Sequence, residues 1–123
     1  MAITRDQQRA RHAFDRVAVV KAGDRDEYKI AVNSFGANVI RSGLAAALAF
    51  LERKKDASSL FLNDLRSAGI PGVTKERSLP DQIRDMDVQS YMLVTREILK
   101  VTLWFKRAVQ AQFKENSGGN AHA

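Results

Sequence analysis

Between Asp87 and Phe113 the chain reads DVQSYMLVTREILKVTLWFKRAVQAQF, with no glycine or proline. Apolar residues recur at Val88, Met92, Leu99 and Leu103, and again at Tyr91, Ile98, Val101, Phe105 and Val109. That recurrence has the helical period, so it predicts one long C-terminal helix, with Asp87 as its N-cap. The apolar face is wider than a surface helix needs, which predicts a central helix with neighbours on several sides.

The same period predicts shorter helices upstream. The first covers about Arg5 to Lys21, capped by Thr4, with Ala10, Ala13, Phe14, Val17 and Val20 inward. The second covers about Arg25 to Arg41, and Asp24, Asp26 and Glu27 suit its positive N-terminal end. Gly36 inside it marks a kink or a close helix contact, and Ser42-Gly43 a break. Leu44 to Leu51 is apolar almost all round, which places this third helix against the long one. Asp56 caps a fourth helix from Ala57 to Ala68, ended by Gly69. A loop from Gly69 to Ser78 leads to a short helix, about Leu79 to Met86, with Pro80 in its first turn. The fold class is therefore all-α, a compact bundle of about five or six helices with one long C-terminal helix. Residues 1–114 form a single helical bundle domain, a size that buries a core without metal or disulfide. Residues 115–123, small and polar, form a disordered tail.

Charge changes the picture. Lys and Arg number 20 against 14 Asp and Glu, a net +6, which favours polyanion partners. The absence of cysteine excludes disulfides and thiol chemistry, and fits a reducing cytoplasm. No signal-peptide pattern opens the chain and its apolar runs are too short to span a bilayer, so a cytoplasmic protein with no membrane partner is expected. No catalytic motif occurs, and the two histidines, one of them in the tail, give little basis for acid–base catalysis. The acidic clusters sit at helix ends, so the reading is no enzyme, no metal and no cofactor.

Two basic patterns are candidate RNA-binding elements. Arg5, Arg9, His12 and Arg16 form one stripe on the first helix, beside its apolar face and towards solvent. The stripe either tracks a phosphate backbone or is a flank paired with Asp6, Asp15 or another helix. His12 reads as a surface residue. On the long helix Arg96, Lys100 and Arg107 share a side, and Lys106 lies about 100° from Arg107. Such a strip either grips phosphates or meets solvent or another subunit. Trp104 reads as core packing, with base stacking as the alternative.

The stretch Phe35-Gly-Ala-Asn-Val-Ile-Arg-Ser-Gly-Leu44, followed by Leu48-Ala49-Phe50, and the later Tyr91, Thr95-Arg96-Glu97 and Trp104-Phe-Lys106-Arg107, resemble one known family. It is the small α-helical subunit of the type III-B CRISPR-Cas effector, the RNA-targeting Cmr complex. The resemblance covers most of residues 1–114. The chain departs from the pattern at Gly36, where the family often has proline, and at Ser42, where it often has asparagine.

The resemblance implies a non-catalytic structural subunit for antiviral defence. Copies of it stack as a minor filament beside the backbone that holds the crRNA, and basic residues line the target-RNA channel. It implies as partners the other Cmr subunits (backbone and large subunit), the crRNA/target RNA duplex, and copies of itself. Arg96, Lys106 and Arg107 match the family pattern, whereas Arg5, Arg9, Arg16 and Lys100 come from the helical stripes. Leu44, Phe50, Leu51 and Trp104 are assigned to packing. The alternatives are a stand-alone basic nucleic-acid-binding bundle and a scaffold subunit of a related type III complex. Replacing Lys106 and Arg107 together by Ala is expected to weaken RNA retention by the assembled complex while the helical circular-dichroism signal stays intact.

Overall fold

In the computed structural model, which describes residues 2–54 and 56–113, six α-helices and one short 3-10 turn make up the regular structure, with no strand among the described residues. They are α1 (Arg5–Ala18), α2 (Arg25–Ser42), α3 (Leu44–Lys54), α4 (Ser58–Arg66), α5 (Leu79–Arg84) and α6 (Val88–Gln112). The expected polar tail lies outside the described residues.

Local chemistry sets most helix ends. Thr4 and Gln7 form a reciprocal capping box on α1. Ser78 Oγ accepts from the Asp81 N–H at α5, and Asp87 Oδ1 accepts from the Ser90 N–H at α6. Helix α4 is shorter than expected: it begins at Ser58 with Ala57 at the N-cap and ends at Arg66, and Asp56 accepts from the Ser58 N–H at 2.8 Å from one position before the cap. The break between α2 and α3 falls at Gly43, whose φ of +91° is strained for any residue with a Cβ.

Four further expectations change here. Helix α1 stops at Ala18, and Val19 faces solvent while Val20 folds back into the core. Helix α2 runs unbroken through Gly36, where an added Cβ would meet nothing within 4 Å, so no close helix contact demands glycine there. Helix α3 packs on α2, α4 and α5 rather than along the long helix, which it meets where the Ala45 N–H donates to Tyr91 Oη. Its outward side, including Phe50, is exposed, so Phe50 is not a core residue.

The broadest helix contact is α1 on α6, followed by α2 on both α3 and α6. Phe61 centres the core, edge-to-face with Tyr28, Phe35 and Phe105 at centroid distances of 5.4–5.8 Å. Beside this cluster lies a buried polar node. Asp64 of α4 accepts from the Tyr28 hydroxyl of α2 at 2.6 Å and from Arg16 Nε of α1 at 2.7 Å. His12 also leans inward, contrary to the surface expectation. Its Nε2 donates to the Asp64 carbonyl at 2.8 Å, and its ring stands edge-on to Phe105. Burial first, and the adjacent carboxylate second, hold the Tyr28 phenol well above its ordinary range, so it donates at every physiological pH.

Two side-chain ties hold the loop between α4 and α5: Arg77 Nη2 donates to Asp85 Oδ2 at 2.6 Å, and Gln82 binds three backbone groups of the loop. Gln82 Oε1 accepts from the Thr74 N–H at 2.7 Å, and its Nε2 donates to the carbonyls of Thr74 and Arg77. These bonds occupy the amide of a buried glutamine and fix the loop against α5.

The node ranks two substitutions. Tyr28→Phe removes one hydrogen bond and leaves Asp64 paired with Arg16, an expected loss of about 1–2 kcal/mol. Asp64→Ala strands the buried Tyr28 hydroxyl and unpairs Arg16, an expected loss of about 3 kcal/mol, near the low end for a broken buried pair because Arg16 is half exposed. Urea unfolding followed by circular dichroism checks the order, and equal losses would contradict it.

Candidate nucleic-acid interface

The long helix turns Val94, Ile98, Val101, Phe105, Ala108 and Val109 inward. Its exposed residues include Arg96, Lys100 and Arg107. At about 100° per residue these three fall within about 40° of one another. Glu97 is the only acid in α6, and its side chain is largely buried. The outward face is therefore cationic and free of exposed carboxylates. It is also apolar: Val88, Met92, Leu93 and Leu103 stand 47–74% exposed among the cations. The helix has neighbours on several sides, as expected, in α1, α2 and α4, but its outward apolar residues stay uncovered among the described residues.

Where α1 begins alongside α6, an open groove of about 480 Å³ forms. Arg5, Arg96 and Lys100 reach it together, beside Leu93, Glu97 and the Pro71-Gly72 corner of the α4–α5 loop. The one carboxylate among the described residues of the groove is already engaged. Glu97 Oε2 accepts from Arg9 Nε at 2.7 Å, and Arg5 lies 3.7 Å away. The Arg9 hydrogen bond pulls the Glu97 carboxyl below its ordinary range, and Glu97 in turn raises Arg9. The remaining charge of the groove is positive.

A second acid ties in the next cation along. Asp6 accepts from Arg9 Nη1 at 3.0 Å and from Trp104 Nε1 at 3.2 Å. The Trp104 bond, then the Arg9 bond, lower the Asp6 carboxyl. The Arg107 guanidinium lies over the Trp104 ring, 4.6 Å from its centroid. Trp104 packs against the core on one side and carries an arginine on the other, so packing is half of its role.

The seven sequence candidates thus separate. Arg5, Arg96 and Lys100 converge on the groove, and Arg107 extends the line on its tryptophan shelf. Lys106 is half-buried on a different side of α6. Arg9 leaves the expected solvent stripe, and Arg16 stays about half exposed but is tied to an acid. The Arg9 side chain is 10% exposed and clamps α1 to α6, and Arg16 pairs with buried Asp64. The Asp6–Arg9 pair had a local signal in its spacing of three, whereas Glu97 and Asp64 lie too far along the chain for any spacing rule. Among the described residues no three His, Cys, Asp or Glu side chains gather where they could hold a metal ion, and no helix is long and apolar enough to cross a membrane.

Comparisons with known proteins agree on one relationship. A family model described as CRISPR-associated protein (Cas_Cmr5) matches residues 5–112. A Thermus thermophilus protein described as CRISPR system Cmr subunit Cmr5 is 35% identical over 114 residues, covering 91% of this chain and 98% of that one. The crystal structure of a CRISPR-associated Cmr5 family protein from the same organism superposes with a TM-score of 0.79 at 34% identity, covering 89% of this chain and 97% of the other.

The Arg9–Glu97 clamp carries a pH signature. A carboxyl lowered by folding contributes stability that is complete above its unfolded value, ordinarily 4.5, and is lost as pH falls through the lower folded value. Glu97→Gln is expected to be less stable than the parent at neutral pH and to lose less on acidification below 4.5. Denaturant midpoints measured across that range decide it: identical acid dependence in the two proteins would remove Glu97 from the clamp.

Proposed function

The chain belongs to the Cmr5 family of CRISPR-associated proteins, and from that membership we propose that it is a non-catalytic subunit of the Cmr RNA-targeting effector. Copies stack as a minor filament beside the crRNA-holding backbone, in contact with backbone and large subunits, in the cytoplasm. The strip of Arg5, Arg96, Lys100 and Arg107 faces the channel where target RNA pairs with the guide, and Lys106 contributes from its flank. Arg9 and Arg16 act indirectly, by holding α1 against α6 and α4.

The observation that carries this reading is the groove where three cations from two helices meet, with the only carboxylate among its described residues already bound by Arg9. A channel wall that serves any guide needs charge and shape rather than base contacts, because pairing supplies the sequence. Arg96 to Arg107 spans about 16 Å along the helix axis. That length meets several phosphates of one strand, at roughly 3.4 Å of axis per charge. The exposed apolar residues between the cations favour an assembly subunit over a stand-alone binder, since such a surface needs a protein neighbour.

In the reconstituted complex, Arg96→Glu with Lys100→Glu is expected to lower target-RNA retention at least tenfold. It should also flatten the slope of log affinity against log salt by about 0.7–0.9 for each phosphate that is no longer neutralised. Filter binding at several salt concentrations measures both. Unchanged retention in a correctly assembled complex would place the RNA elsewhere.

A further inference from the structure

We propose that the outer corner between α2 and α3 is a second site for single-stranded RNA, in which Phe50 stacks a base and Arg41 and Arg53 hold the neighbouring phosphates. The corner is an open groove of about 570 Å³ built from α2 and α3, with no residue of α1 or α6 in its lining. It is therefore separate from the strip on the long helix. The choice of RNA rests on the function proposed above, while the groove's chemistry stands without it.

Phe50 lies in an alanine- and leucine-rich helix that reads as core, yet 39% of it is exposed. Two cations from the next turn lie over its ring: the Arg53 guanidinium 5.6 Å and the Lys54 ammonium 5.5 Å from the centroid. Arg41, at the last turn of α2, faces the same groove. Among the described residues no carboxylate lines it. The nearest acid along α3, Glu52, is taken by Arg84 Nη2 at 2.8 Å. Exposed Ala46 and Ala49 leave space beside the ring, and Asn38 brings both hydrogen-bond donors and an acceptor.

An accessible ring among unneutralised cations is the composition that holds single strands. The aromatic face takes any base, and the cations take the backbone on either side. A purely acidic peptide would use Arg41 and Arg53 but would gain little from the ring or from Asn38, so the aromatic favours nucleic acid. The guanidinium on Phe50 either remains as one face of a sandwich or swings to a phosphate. Both arrangements keep the cation beside the strand.

Ultraviolet crosslinking of the full chain to a short 4-thiouridine-substituted single-stranded RNA at low salt, read by peptide mass spectrometry, tests the site. The expected crosslink falls on the α3 peptide containing Phe50. It should drop about tenfold in Phe50→Ala, the loss of one stacked base, and in Arg41→Glu with Arg53→Glu, surface changes that leave the helical signal intact. Arg96→Glu with Lys100→Glu should leave it in place, so failure of the long-helix strip and failure of this site are read separately. Crosslinks confined to α1 and α6, or none in a folded protein, would overturn the proposal. An Arg41/Arg53 double variant that keeps its crosslinks but no longer joins the other Cmr subunits would also overturn it, assigning the corner to a protein neighbour.

Discussion

A single buried carboxylate ties together three of the six helices. Asp64 of α4 draws the Tyr28 hydroxyl from α2 and the Arg16 guanidinium from α1, while its own carbonyl accepts from His12. Such a group is tolerable only when its oxygens are satisfied. Moving α1 along α4 by one turn would break the Arg16 and His12 bonds together, so the node selects one register where the aromatic cluster around Phe61 would tolerate several. The long helix is then set by α1, through Arg9 and Glu97, at the far end of the same helix face. The position of the cationic strip depends on this chain of contacts, from α4 through α1 to α6.

Much of the fold is legible in the chain because helices announce themselves locally. The caps at Thr4, Ser78 and Asp87, the break at Gly43 and the uninterrupted period after Asp87 all act over a few residues. The partners of the cations act over distance. Arg9 and Glu97 are 88 residues apart, and Arg16 and Asp64 are 48 apart. A stripe of arginines on one helix face looks the same whether it meets phosphate or a buried acid, so the sequence pattern locates Arg9 and Arg16 without revealing their use. Arg96 and Lys100 are legible as surface cations because nothing on α6 near them could neutralise both.

The same contrast governs the apolar residues. Periodicity reports that Val88, Met92 and Leu103 form an apolar row along α6, and it cannot report that no described helix covers them. Phe50 is the parallel case on α3. Hydrophobic pattern states what a residue would prefer to bury, and the topology decides whether the partner is within the chain or outside it. For a member of an assembly family, an excess of apolar face over available cover is consistent with a fold completed by its neighbours.

The Gln82 amide, which fastens Thr74 and Arg77 to α5, bears on how strongly the groove on α1 and α6 can hold a ligand. Pro71 and Gly72, which form one wall of that groove, belong to the same short loop. A loop free to wander would have to be frozen by its guest, and each immobilised residue would subtract about 1 kcal/mol of conformational entropy from the association. Because the fold has already restrained this wall, electrostatic attraction at Arg5, Arg96 and Lys100 goes into holding the ligand rather than into ordering the receptor.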